Sequence, residues 1–180
     1  MMSVTKIVKT FMTALQSGDM ETAANVMADD FRFFGWTRQP LNKGQFLAVQ
    51  SRLLVAMPDF SYNMSDVQKE HGRGATAFIQ MTGTHINALD LPLPGFLPIE
   101  ATGLSASLPQ VSVHYTFEGN TLREMSVEEV PGGGLIGLLQ QIGSEVPLSP
   151  GLASISPGEL GMFETTTPNP MRGEQKSTPD

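Results

Sequence analysis

The sequence contains no cysteine. That excludes disulfides, thiolate nucleophiles and Cys-ligated zinc or iron–sulfur sites together, and it suits a reducing compartment. Charge is also scarce. Lys, Arg, Asp and Glu make up 16% of the 180 residues, against about a quarter in an average globular domain. The charge present is mostly negative, with 11 basic and 18 acidic side chains. Divided after Gly143, residues 1–143 carry 9 basic and 13 acidic groups (−4), and residues 144–180 carry 2 and 5 (−3). Neither part has the basic stripe that phosphate neutralisation requires, which argues against nucleic acid and anionic membranes as partners. No apolar run approaches the ~20 residues that span a bilayer. The N-terminus also lacks the apolar stretch of a signal peptide, so the chain reads as cytoplasmic. There is no phosphate-binding loop, dinucleotide fingerprint or nucleophile elbow. No two histidines have metal-ligand spacing, so neither a metal nor a cofactor is expected.

The periodicities that are present read in order. Val4, Ile7, Val8, Phe11, Met12 and Leu15 fall at helical spacing, with Ser3 to cap the start and Gly18 to end the helix. Asp19 can cap a second, shorter helix carrying Ala23, Ala24 and Met27. Phe31 to Trp36 reads as a first strand. Asn42 with Gln45 resembles a capping box; it precedes a third helix presenting Phe46, Leu47, Val49, Leu53, Leu54 and Met57, which Pro58 stops. The period then becomes two. Strands are expected over 59–69, 75–86, 111–117 and 121–130, with turns at 71–74 and Gly119-Asn120. Residues 87–110 contain four prolines and read as a long loop that covers part of the sheet and ends as a strand from Ser105. The glycines 132–134 break the sheet, and Leu135 to Ile142 suggests a short helix or flap. From Ser144 the pattern fades into a Pro/Gly/Ser/Thr-rich tail that cannot offset its chain entropy by burial. The expected organisation is one α+β domain over residues 1–143 and a disordered tail over 144–180.

The last hairpin offers candidate chemistry. If Gly119 and Asn120 form a two-residue turn, partners sum to 239 and side chains alternate between faces. One face then holds Val111, Val113, Tyr115, Phe117, Leu122, Glu124, Ser126 and Glu128. The other holds Ser112, His114, Thr116, Arg123, Met125, Val127 and Glu129. The first is the more apolar, so it should face inward. Two carboxylates there would need a pocket, and burial would raise a carboxyl pKa toward the range of a general acid or base. A bulge would exchange the faces and transfer the candidacy to Glu129 and His114. His71 lies in a turn; His85 ends a strand beside the Pro-rich loop.

Five segments, in order, resemble the SnoaL-like polyketide cyclases of the nuclear-transport-factor-2-like superfamily. They are QSGDMETAANVMADDFRF, LVAMPDFSYNM with Pro58 and Asp59, MTGTH at residues 81–85, FEGNTLREMSVEEV, and GLLQQIG at residues 137–143. The resemblance covers roughly residues 4–143. It implies a cone-shaped α+β barrel, with three N-terminal helices packed on a curved antiparallel sheet around an apolar pocket, often as a dimer. It also implies cofactor-free aldol chemistry by a carboxylate of the last strand. Ungapped comparison puts that carboxylate at Val130, and a slip of one or two residues reaches Glu129 or Glu128. The GTH histidine carries over to His85.

Register and resemblance together make Glu128 the preferred acid/base, Glu124 the second, and His85 a group that positions an oxygen. Phe34, Trp36, Leu54, Tyr62, Tyr115, Phe117 and Ser126 are the candidate pocket lining. Two functions compete. One is a cyclase or isomerase acting on a hydrophobic carbonyl compound. The other is a non-catalytic module that binds a hydrophobic small molecule and dimerises through its sheet. Met125, Val127 and Thr116 on the outer face motivate the homodimer.

Overall fold

The computed structural model describes residues 2–143; the tail expected from Ser144 lies outside them. Helix α1 (Val4–Ser17) starts where Ser3 Oγ accepts the Lys6 N–H. It ends at Gly18, whose φ of +85° closes the helix in the left-handed conformation that glycine adopts without strain. Asp19 caps α2 (Met20–Val26), and Asn42 and Gln45 form a reciprocal capping box at the start of α3 (Lys43–Ala56). These are the caps expected from the sequence.

The described residues make eight strands: β1 (Met27–Phe34), β2 (Leu41–Asn42), β3 (Ser65–Glu70), β4 (Gly74–Ile79), β5 (Thr82–Thr84), β6 (Ser105–Ser107), β7 (Val111–Glu118) and β8 (Thr121–Val127). A last helix, α4 (Gly134–Gln141), follows. Six strands form one curved sheet in the order β2-β1-β8-β7-β4-β3, and β5 pairs with β6 separately. The architecture is the expected α+β cone, with one difference. β1 runs parallel to β8, so the sheet is mixed, because the helical crossover from β1 returns the chain to the far edge of the sheet. Two strands are also shorter than their alternation suggests. Phe60 and Tyr62 alternate as a strand would, but they belong to an irregular segment that meets β5 through a single bridge between Ser61 and Thr82. The strand expected over 75–86 breaks between Ile79 and Thr82.

The space between helices and sheet is filled. Phe33 packs edge-on against Trp36 (4.6 Å between centroids) and face-tilted on Phe46 (4.7 Å). Phe11 and Phe31 complete the cluster around Phe46. Tyr62 and Tyr115 are essentially inaccessible. The one buried amide among these groups is satisfied: Gln50 donates to the Leu15 carbonyl and accepts from the Tyr62 hydroxyl. Burial pushes both tyrosine hydroxyls above their ordinary pKa, so each is held as a neutral donor.

Candidate functional site

The last hairpin decides where the acidic side chains go. Glu118 pairs with Thr121 and Phe117 with Leu122, the register expected from a two-residue turn. The next pair is Thr116 with Glu124. Arg123 is therefore an extra residue, a β-bulge, and every later side chain changes face. Its guanidinium is held outside the sheet by Glu118 and Asp30. Beyond the bulge Met125 and Val127 point into the core, while Glu124 and Glu128 point to solvent. Ser126 follows them outward beside Phe34, its partner on β1.

This corrects the expectation that Glu124, Ser126 and Glu128 face inward. Glu128 instead folds back on the sheet edge, where its Oε1 accepts from the Ser112 N–H (3.1 Å) and hydroxyl (3.3 Å). It also corrects the outer-face placement of Met125 and Val127, which are core residues at 0% and 6% exposure. Phe34, expected to line a pocket, is on the convex face and 37% exposed. The signal for the bulge was in the sequence. Leu122, Met125 and Val127 are spaced by three and then two, and a strand with one buried face cannot carry a spacing of three without an extra residue.

Of the other candidates, Tyr62, Tyr115 and Phe117 face inward but are packed into the core. Leu54 is half-buried against it. His85 is fully buried at the end of β5 rather than at a pocket rim. Its Nδ1 accepts the Thr102 N–H at 3.3 Å, with the Thr102 hydroxyl 3.1 Å away. Its backbone pairs with Leu104 and Gly103, at the close of the Pro-rich loop. Burial holds its pKa below the ordinary value, so the ring is a neutral pin for that loop. Its Nε2 has no partner among the described residues.

Phe117 borders, with Arg123 and Glu124, a cleft at the turn end of the last hairpin, and Trp36 borders another. A cleft of about 370 Å³ lies between residues 35–38, which follow β1, and a second wall made of Glu129, Val130 and residues 133–136. Two glycines set its walls. At Gly35, with φ +119°, a Cβ would come within 2.3 Å of the Val127 carbonyl oxygen, so the loop crosses the end of β8 in direct backbone contact. At Gly137, a Cβ would meet the Gly132 carbonyl oxygen at 2.0 Å, which lets the 131–133 turn lie flat against α4. Sequence reasoning reached Glu129 through the bulged register and through a one-residue slip in the family comparison, and it missed Arg38, Thr37 and the α4 residues. Nothing in their spacing links positions a hundred residues apart.

No side chain caps α4. The N–H groups of Gly134, Leu135 and Ile136 precede the first intrahelical bond, which Gly137 donates to Gly133. Trp36 is 4% exposed and its indole N–H has no partner among the described residues. A buried unpartnered donor of this kind costs about 1–3 kcal/mol. The Trp36 Cδ1, bonded to that nitrogen, lies 4.0 Å from where a Gly134 Cβ would stand, so the polar edge of the indole abuts the helix start. Arg38 and Glu129 flank the opening, and neither takes part in an ion pair among the described residues. Among the described residues no three His, Asp or Glu side chains are grouped to hold a metal, and no helix is long and apolar enough to cross a membrane.

The sequence matches the SnoaL-like domain family over residues 8–125. The chain belongs to the SnoaL-like domain family. Solved structures agree on the fold. A candidate polyketide cyclase of Pseudomonas putida KT2440 superposes with a TM-score of 0.58 at 18% identity, covering 79% of this chain and 99% of that one. A candidate SnoaL-like polyketide cyclase of Jannaschia sp. CCS1 gives 0.58 at 18% identity, over 77% and 90%. TsrD of Streptomyces laurentii gives 0.57 at 20% identity, over 77% and 93%. Among curated proteins none matches the sequence significantly. The SnoaL-like match ends at residue 125, so the cleft wall built by residues 129–136 lies beyond it.

Proposed function

We propose that this SnoaL-like protein binds a small molecule in the cleft between residues 35–38 and the start of α4. The observation that carries this reading is a space of about 370 Å³ walled by residues 35–38, Glu129 and the start of α4, which no side chain caps. That volume falls within the range of small-molecule sites. The filled interior and the outward turn of Glu124 and Glu128 support binding at the mouth of the cone rather than aldol chemistry in its centre. Trp36 is the only tryptophan in the chain, so its emission reports on the site. A ligand of this cleft shifts that emission saturably, and Ile136→Phe, which fills the cleft, abolishes the shift. Calorimetric binding that leaves Trp36 unmoved and survives Ile136→Phe contradicts the reading.

A catalytic version of the same site is favoured by one observation: Glu129 is the sole carboxylate in the lining. Proton transfer in this cleft falls to Glu129 in that version, without a cofactor, and Glu129→Gln removes turnover while ligand binding persists. Turnover that survives Glu129→Gln sinks it.

We further propose a homodimer through the convex sheet face. Its support is the exposure of Phe34 (37%) and Phe78 (39%) on the same outer face as Thr116, in place of the buried Met125 and Val127. Light scattering reads twice the chain mass, and Phe34→Glu returns it to the monomer. A monomeric wild type at micromolar concentration removes the proposal.

A further inference from the structure

His85 holds the Pro-rich loop through the one ring atom that a proton would take. The Thr102 backbone N–H can only donate, so the Nδ1 it points to, 3.3 Å away, is the unprotonated nitrogen of a neutral ring. The ring hydrogen then sits on Nε2, which is buried without a partner among the described residues. Taking up a proton puts a hydrogen on Nδ1 and sets donor against donor. The Thr102 hydroxyl, 3.1 Å from Nδ1, can accept that hydrogen, but the Thr102 N–H then loses its acceptor. The resulting charge also lies on a residue with no exposed surface, where an unpaired ion is costly.

No charged group stands by to stabilise an imidazolium. The α3 exit, the loop and the residues leading into β6 pack around His85, and their ionisable groups are Arg52, Asp59, Asp90 and Glu100. Asp59 is committed to Thr84, Arg52 and Asp90 pair with each other, and Glu100 is exposed. Burial therefore holds the ring below its ordinary pKa. The loop's attachments converge on the same residue. His85 N–H donates to the Leu104 carbonyl (2.9 Å), and Gly103 N–H donates to the His85 carbonyl (2.7 Å). Further out, Leu89 and Ile99 exchange N–H bonds within the loop. The Arg52–Asp90 pair that ties its outer side is exposed, and such pairs hold weakly. Beneath, Leu89 and Leu91 are buried in the core. We infer that residues 86–103 form an acid-released strap: a proton on His85 frees the Thr102 end and lifts Leu89 and Leu91 from the core while the six-stranded sheet stays folded.

The test is amide hydrogen exchange on the full chain across mildly acidic pH, each rate corrected for the intrinsic exchange rate at that pH. Below the ordinary 6.5 of a histidine, the opening constants of the Leu89, Ile99, Thr102 and Gly103 amides rise by up to about tenfold per pH unit, the slope of one proton. The amides of β4 and β7 hold their protection. His85→Gln, which cannot take up the proton, flattens the loop's response, and the double variant His71→Gln/His114→Gln keeps it. A loop that ignores pH overturns the strap. So do an equal loss of protection in loop and sheet, an unchanged slope in His85→Gln, and a slope lost with His71 and His114. Nitrogen shifts of the wild-type imidazole test the pin without any variant. They place the neutral ring's hydrogen on Nε2, and a hydrogen on Nδ1 overturns it.

Discussion

Asp59 holds Thr84 twice: one carboxylate oxygen accepts the backbone N–H and the other the hydroxyl, each at 2.8 Å. Beside this clasp, Gly83 lies so close to Met57 that a Cβ would stand 2.9 Å from its sulfur. The Pro58-Asp59 and Gly83-Thr84-His85 segments, which resembled family motifs, thus form one junction joining the exit of α3 to β5. Their work here is architectural. The Thr84 hydrogen bonds hold the Asp59 carboxyl below its ordinary pKa of 3.8. A lowered acid contributes stability that is present above that ordinary value and is lost as pH falls through the folded one. Asp59→Asn is therefore less stable than wild type at neutral pH, and the gap between them narrows in acid. A gap that stays constant on acidification would show that the clasp does not depend on the ionised carboxylate.

The bulge at Arg123 makes an asymmetric prediction along β8. Met125→Ala empties a fully buried site and should cost about 2–5 kcal/mol. Glu124→Ala and Ser126→Ala lie outside the core and should stay within about 0.5 kcal/mol. Urea denaturation of the three variants reads this directly. An unbulged strand reverses the order.

Gly35 separates steric from conformational cost. Gly72 also has positive φ (+66°) but open space around its Cβ position, whereas at Gly35 the Val127 carbonyl oxygen stands in the way. Gly72→Ala should cost about 1 kcal/mol, the ordinary penalty for a left-handed alanine. Gly35→Ala should cost clearly more, and it should disturb the cleft that this loop borders. Equal thermal midpoints for the two variants would mean that the loop yields without strain.

His85 gives the fold a second acid-sensitive point. Burial lowers its pKa beneath the ordinary 6.5. Above that value the ring is neutral in both folded and unfolded chains, so it adds no pH dependence. As pH falls below 6.5 the unfolded chain takes up a proton that the folded one refuses, and stability drops until the lower folded pKa is reached. Denaturation midpoints should decline over that window in the wild type and decline less in His85→Gln. Identical slopes would show that the pin tolerates a charged ring.

Much of this was readable from residue order. Ser3, Gly18, Asp19 and the Asn42–Gln45 box set the helix ends, because caps are local and their donors and acceptors sit within four residues. The resemblance fixed the cone. Hidden from the sequence were contacts made by distance in space. The parallel pairing of β1 with β8 depends on a crossover. The spacing of Leu122, Met125 and Val127 did signal the bulge that turns Glu124, Ser126 and Glu128 outward, but not the anchor of Arg123 on Asp30 from another strand. The inner face was expected to leave a hollow; instead Phe11, Phe31, Phe33, Trp36 and Phe46 pack into it, and the cleft lies at its end, where Gly35 and Gly137 let backbones touch.

Amide chemical-shift mapping of the full chain, titrated with a small molecule that shifts the Trp36 emission, measures most directly where a ligand goes. The largest shifts should fall on residues 35–38 and on Gly133 to Ile136, with Glu129 among them. Shifts gathered instead on Tyr62, Tyr115 and Phe117, around the packed centre of the cone, would contradict the cleft as the site.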